Sequence, residues 1–540
     1  MISGSAPPPS AEKMKRLGKR LTALGGLVII LFLLGSCTRP QLPPEQDTLV
    51  IAFPYEPASL NPVFLSDQLS YTVSGWVCPG LVRLTGDLTV AGDLAASWEI
   101  LSGGREIRFH LRRGVKWHDG RDFTAEDVIF TYQLITSGRI PTPHSSHFGP
   151  VREVKALDRH TVSVKYKEIY SSSLESWTMG LVQQQAFQEQ KMDDQDLPRA
   201  PVGTGPYRVG EWIPGQKIVL EAFPGYYAGA PKIRRIILKI TPDPTTSVFE
   251  LKSGIIGVME LTPNQYAQLS RGPDLERNFR IYRCPSVRYG FLGFNFQDSR
   301  FLDRQVRQAL SQAIDKNSII QTVLQGCGSP GTGPFPPGTW YHHGDVASYE
   351  YDPARAQEIL SKMGWYGKQR AASKEEKPCL NLVTNFENKE NILIAEIIQN
   401  NLKNIGIRVN IETLEWLAFR YRIITKKAFD VVLLSRHYIW DPDLYNVWHS
   451  SKTSEGEWNF LSYKNSQVDE LLERGRKTVG RPQRQLIYQR IQEIMAQDPP
   501  CVFIYNADGI FIAKKNIKGI TPSSLGIFHN ISVWSIGEKD

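Results

Sequence analysis

Apolar residues follow three rhythms along this chain, and each predicts a different element. One is a block, the uncharged run from Leu21 to Ser36. Another is strict alternation: Ile107, Phe109 and Leu111 interleave with Glu106, Arg108 and His110, which predicts a half-buried strand. TLVIAF at 48–53, the pieces around Leu81–Leu84 and Ser97–Leu101, two stretches between 150 and 170, and a hairpin region from Gly203-Thr-Gly-Pro-Tyr207 add further strands. Thr124-Ala-Glu-Asp127 reads as a capping box opening the helix DVIFTYQLIT. The third rhythm, helical spacing, dominates the second half. DRQVRQALSQAIDKNSIIQTVL predicts one strong amphipathic helix. Asp352-Pro353 opens another that Gly364 ends, and Asn388–Asn404 is helical up to Gly406. Ile407, Val409 and Ile411 then alternate as a strand, and FDVVLL is apolar throughout, as in a strand buried on both faces. A helix from about Pro482 to Gln497 precedes two strand patterns, CVFIYNA and GIFIAKK. Mixed strands followed by strand–helix alternation predict an α/β protein with two large lobes.

The first block has its own logic. Lys13, Lys15, Arg16, Lys19 and Arg20 precede it, and Gly35-Ser36-Cys37 closes it. A basic start, an apolar middle and a small-residue cut site predict an export signal over 1–36. The apolar run falls short of the ~20 residues that a spanning helix needs. Leu34-Gly35-Ser36-Cys37 resembles the bacterial lipobox, which implies cleavage before Cys37 and lipidation of that cysteine. An uncleaved anchor holding an ordinary cysteine is the competing reading. Met14 begins a well-proportioned signal of its own, so the start codon stays open. The polar, proline-rich 37–47 suits a short extended stalk.

Composition narrows the partners. Without residues 1–36 the chain keeps 58 basic and 54 acidic residues, a net +4. That is weak for such a length, and no basic run interleaves with aromatics, so nucleic-acid binding has no support. Six cysteines, at 37, 78, 284, 327, 379 and 501, include no CxxC pair, and losing Cys37 to lipid leaves at most two disulfides. After the stalk no apolar run is long enough to span a membrane.

Catalytic patterns are missing: no HExxH, P-loop or GxSxG occurs. Gly326–Gly331 matches GxGxxG, but Pro330, Pro334, Pro336 and Pro337 preclude the helix a dinucleotide site requires, so a loop is expected. His342-His343 reads as a solvated loop, and His118-Asp119 as a turn ending at Gly120. No enzyme activity, cofactor or metal site is expected.

Four segments together resemble one family. GREIRFHLRRGVKWHDGRDFTAEDVIFTYQ, PVGTGPYRVGEWIPGQKIVLEAFPGYY, FNFQDSRFLDRQVRQALSQAIDKNSII and YDPARAQEILSKMGW follow in the order seen in extracytoplasmic solute-binding proteins of family 5. These are the oligopeptide-, dipeptide- and nickel-binding components of ABC importers. The resemblance runs from about Thr48 to Ile520. It implies a periplasmic-binding-protein-like fold with two large lobes closing on a cleft and an extra inserted domain. Domain I would take 48–77, 198–288 and 508–540; domain II would be inserted at 78–197; domain III would take 289–507. The ligand would sit between domains I and III. The glycines of GTGPY are expected to be structural.

The resemblance also frames the site. Many peptide-binding members hold the peptide amine with an aspartate after the strand matching FDVVLL, by a charge-assisted bond in a closed cleft. Here the segment reads SRHYIWDPDLYN, and that place falls on Tyr438 or Ile439. Asp441 is the nearest acid, in an Asp-Pro turn it is expected to cap; Glu56 in the first loop is another candidate. Arg436, His437, Tyr438 and Trp440 cluster where a cleft wall should be, with Arg436 pairing a carboxylate and Trp440 stacking. The bland alternative sends alternate residues to core and surface. Tyr71, Trp76 and Tyr289 complete the ligand candidates. The expected role is a monomeric protein on the outer side of a bacterial membrane, tethered through Cys37. It would capture oligopeptides and deliver them to permease subunits and their ATPases. A nickel chelate or sugar as ligand, or a sensor or chaperone without a permease, are the alternatives.

Overall fold

Two strands hold the main sheet together because they are far longer than the rest. The computed structural model describes residues 47–140, 142, 144–189, 199–272, 275–366, 378–437 and 441–537. Phe279–Phe294 and Cys501–Lys514 pair antiparallel at the centre of an eleven-stranded sheet. On one side follow Val431–His437, Cys379–Asn385 and Arg408–Leu414; on the other Val258–Glu260, Thr48–Phe53, Arg235–Ile240, Lys217–Ala222 and Tyr207–Ile213. The long pair is in register from Phe279↔Lys514 to Pro285↔Asp508, and resumes at Tyr289↔Asn506. That break divides the sheet into two halves.

Each half has its own core. Leu49, Ile51, Tyr207, Leu220, Leu238, Phe528 and Trp534 bury one face of the first half. In the second half the pleat sorts residues to opposite faces. Leu292, Phe294, Val431 and Leu433 pack with the helix Lys389–Asn404, and Tyr289, Phe291, Val432 and Phe503 pack with Arg481–Gln497. A separate four-stranded sheet, in the order Ala95–Leu101, Glu106–Leu111, Thr161–Tyr166, Val151–Asp158, leaves the first half after Val77 and returns near Gly203. Its Ile107, Phe109 and Leu111 are buried, as the alternation predicts. The helix Ala125–Thr136 opens with the Thr124–Asp127 capping box.

Three expectations change. The single helix from residue 303 is two, Arg304–Gln312 and Lys316–Thr322. Asp315 turns inward as an N-cap and accepts the Ser318 amide at 2.9 Å, so the chain restarts there. CVFIYNA and GIFIAKK are one strand, because Asp508 and Gly509 keep pairing with Pro285 and Cys284 rather than turning. The GxGxxG segment is not a plain loop: Gly328–Pro330 pairs with Tyr505–Ala507 beside the register break. Gly290 is required there for another reason. A Cβ on it would lie 2.1 Å from the Tyr505 ring that crosses it. All five cysteines from Cys78 to Cys501 are free, and among the described residues no helix is long and apolar enough to cross a membrane.

Candidate functional site

The register break exposes charged groups where the two halves meet. Arg288 lies in it, directly opposite His437. Arg288 donates to Glu390, in the first turn of Lys389–Asn404, at 3.3 Å. Beneath them Ser435 donates to Asn391 at 3.0 Å and shares a bond with the Tyr505 hydroxyl at 3.0 Å. This network fixes the end of the helix to the strand that carries His437.

From the first half Glu260, the last residue of its strand, faces the same groups. The residue is partly open to water, yet its carboxyl is pushed up by desolvation, against the pull of Arg288 and with a further push from Glu390. Exposure together with desolvation marks a group lining a recess. His437 behaves the same way: it is exposed, and desolvation, then Arg288, lower its pKa to about 4. Its imidazole is therefore neutral at pH 7. Tyr55 also lines the recess; its hydroxyl is raised by desolvation, Asp67 and Glu260. The recess thus sets two carboxylates against one guanidinium, with a neutral imidazole beside them.

A second polar cluster lies between the small sheet and the second half. Asp441 receives Arg484 through both oxygens, at 3.1 and 2.9 Å. Asp441 also caps its turn, accepting the Asp443 amide at 2.8 Å. Arg476 holds Asp443 at 2.8 Å, and Arg484 reaches Glu175 of the small-sheet body at 3.6 Å.

The sequence candidates scatter over these settings. His437 reaches the recess and Asp441 the second cluster. Glu56 is engaged elsewhere: one oxygen takes the Trp212 indole N–H, the other the Gly215 amide at 3.0 Å. Trp76 is in the core against Phe528, and Tyr289 is buried between Phe291 and Phe503. Tyr71 is partly exposed, edge-on to His144. Arg436 points to the opposite face from His437, over the Trp458 ring at 5.9 Å. Tyr438 and Trp440, like Cys37 and the signal, lie outside the described residues. Sequence reasoning missed Glu260, Arg288 and Glu390. Glu260 ends its strand and Glu390 lies in the first turn of its helix, whereas Arg288 is inside a long strand and carried no sequence signal.

Other polar sites are structural. His342 bonds the Phe335 carbonyl and His343 contacts Glu493, so the adjacent histidines diverge. A cavity of about 440 Å³ bordered by Phe296, Arg307 and Asp498 is separate from the recess. Arg307 spends its donors there on Asp498 and on three backbone carbonyls. Among the described residues no group of three or more His, Cys, Asp or Glu could hold a metal.

Comparison with known proteins adds a frame. Residues 89–458 match the model of bacterial extracellular solute-binding proteins, family 5 Middle. The chain is 28% identical to the oligopeptide-binding protein AppA of Bacillus subtilis, over 96% of this chain and 99% of that protein. It is 26% identical to heme-binding protein A of Haemophilus influenzae, over 91% and 93%. The structure of AppA from B. subtilis in complex with a nonapeptide matches with a TM-score of 0.76 at 27% identity, covering 91% of this chain and 99% of that one. NikZ from Campylobacter jejuni in complex with Ni(L-His) matches with a TM-score of 0.77 at 26% identity, covering 91% and 100%.

Proposed function

This chain belongs to family 5 of the bacterial extracellular solute-binding proteins, and from that premise we propose that it captures oligopeptides between its two sheet halves for an ABC importer. The relatives support solute binding for import as the general role. Peptide as the solute rests on AppA, similar along nearly its whole length and solved with a nonapeptide. The observation that carries the reading is the surplus carboxylate at the recess: Glu260 and Glu390 face one Arg288. A peptide ammonium balances that charge through charge-assisted bonds in a site poorly reached by water. The Glu260 and Glu390 carboxylates take the place of the aspartate missing near Tyr438, since Asp441 and Glu56 are already engaged.

Domains I, II and III with the sequence-derived bounds are the moving bodies in this reading. Domain III swings against I and II about the break between Pro285 and Tyr289. Only contacts made in the closed state can drive closure. Lipidated Cys37 tethers the protein on the outer side of the membrane; more than one acyl chain is needed to hold it firmly. His437, a neutral imidazole open to the recess, favours a second reading, a metal chelate such as the one bound in NikZ.

Thermal shift of residues 38–540 with matched free-amine and N-acetylated peptides tests the proposal. A free-amine peptide at 100 times its Kd should add about 2.7 kcal/mol of stability. Glu260→Gln or Glu390→Gln should weaken it at least tenfold. Equal stabilisation by acetylated peptides would refute the ammonium site. Stabilisation by metal–histidine chelates alone would replace the peptide reading with the second one.

A further inference from the structure

The small-sheet body touches the second half by a route that bypasses the hinge. The Ser171 amide donates to the Arg476 carbonyl at 2.7 Å. Arg484 donates to the Ser171 carbonyl at 3.5 Å and faces Glu175 at 3.6 Å. Arg481 reaches the Asp87 carbonyl at 3.4 Å. The small sheet is covalently attached to the first half only, so these contacts exist only over a narrow range of hinge angles.

The charges in this contact do not balance. Glu175, Asp441 and Asp443 face two guanidiniums, Arg476 and Arg484. Arg476 is committed to Asp443 and Arg484 to both oxygens of Asp441, so Glu175 keeps the longest contact. Its Oε2 is sealed from water without a hydrogen-bond partner among the described residues. Ser171 Oγ and Arg484 Nε, on residues more than nine-tenths buried in the same contact, also lack partners among the described residues. An ionised carboxylate in such a place is costly.

We propose that Glu175 is the proton-sensing member of a clasp between the small-sheet body and the second half, docking them when protonated and loosening them when ionised. It rests on the hinge reading above and adds to it a control by pH. Burial foremost, then Asp441, raises the Glu175 pKa to about 7, with Arg484 opposing. Separated halves return it to the ordinary value of 4.5, so the docked form binds the proton more tightly. Docking is therefore strongest at acid pH. It weakens as the pH rises from about 4.5, and Glu175's contribution is gone once the pH has passed about 7.

Asp441 and Arg484 face Glu175 from the second half, and Tyr166 from its own sheet. Around them stand Asp443, Arg476, His147, Tyr170, Tyr341 and Tyr488. Burial raises all four tyrosines, so they stay neutral. Desolvation lowers His147 and raises Asp443. Both of these groups remain in a Glu175→Gln variant, which isolates the glutamate.

Hydrogen exchange of the ligand-free protein reads the clasp directly, because the Ser171 amide bond crosses it. After correction for intrinsic exchange, Ser171 should be at least tenfold better protected at pH 5.5 than at pH 8.5. The Phe109 amide, deep in the small sheet, is the control and should gain no protection at pH 5.5. Glu175→Gln should protect Ser171 equally at both pH values, and Asp441→Asn should move the transition to lower pH. Flat protection in the wild type overturns the proposal, as does an unchanged pH dependence in Glu175→Gln. No peptide is involved, so failure of the oligopeptide reading and failure of the clasp are distinguishable.

Discussion

Gly203 and Gly205 sit where the chain returns from the small sheet, and neither has room for a side chain. A Cβ would lie 1.8 Å from the Val77 carbonyl oxygen at Gly203 and 2.4 Å from the Trp76 carbonyl at Gly205. The returning segment touches the end of the helix Gln68–Val77 backbone to backbone, and the Gly205 amide donates to the Val77 carbonyl at 2.9 Å. Gly203→Ala should therefore destabilise the protein by about 3 kcal/mol or more, read as a lower denaturation midpoint at unchanged slope. These glycines were legible as structural from their motif, because a Gly-x-Gly-Pro turn carries its geometry in its residue types. The recess was not. Nothing local to Glu260, Arg288 or Glu390 separates them from other exposed charges; their meaning comes from residues 28 and 102 positions apart converging.

At the scale of elements, patterns that repeat were legible and patterns that stop were less so. The capping box at Thr124, the N-cap at Asp352 and the helix from Lys389 stand as read. The helix expected to run on from residue 303 breaks because Asp315 exchanges helical continuity for a cap. The Asn401 side chain also accepts the Asp315 amide at 3.0 Å, holding the break in place. Asp315→Ala should cost about 1 kcal/mol, the usual loss for a capping carboxylate, measurable by urea denaturation. Asp508 and Gly509 stand where the two apolar runs meet, and they stay extended, paired with Pro285 and Cys284. Arg283 pairs with Asp508 at 2.5 Å across the strands, a cross-strand pair that adds to the ladder there.

For the whole molecule, burial acts most plainly on histidines. His144, 2% exposed, has its pKa lowered to about 4 by desolvation, with His147 adding to the fall; His118 is lowered to about 4 chiefly by desolvation. The folded state thus binds fewer protons than the unfolded chain, in which histidine titrates near 6.5. Stability should fall as the pH drops from about 6.5 to about 4, by up to about 1.4 kcal/mol per pH unit from His144. Asp93, raised to about 6 by burial, works in the opposite direction. The check is the difference between wild type and His144→Gln in unfolding free energy across that window, which should show the steeper acid loss in the wild type. The sequence by itself determined the ends of helices such as Ala125–Thr136 and Lys389–Asn404, several strands, the α/β class and the resemblance to the family, since these depend on residue type at short spacing, but not strands such as Phe279–Phe294 or Cys379–Asn385. Only the tertiary structure decided that two expected strands are one, where the long pair breaks register, and which carboxylates confront a single arginine. Those outcomes depend on long-range register and on how far water is excluded, and neither quantity exists until the chain has folded.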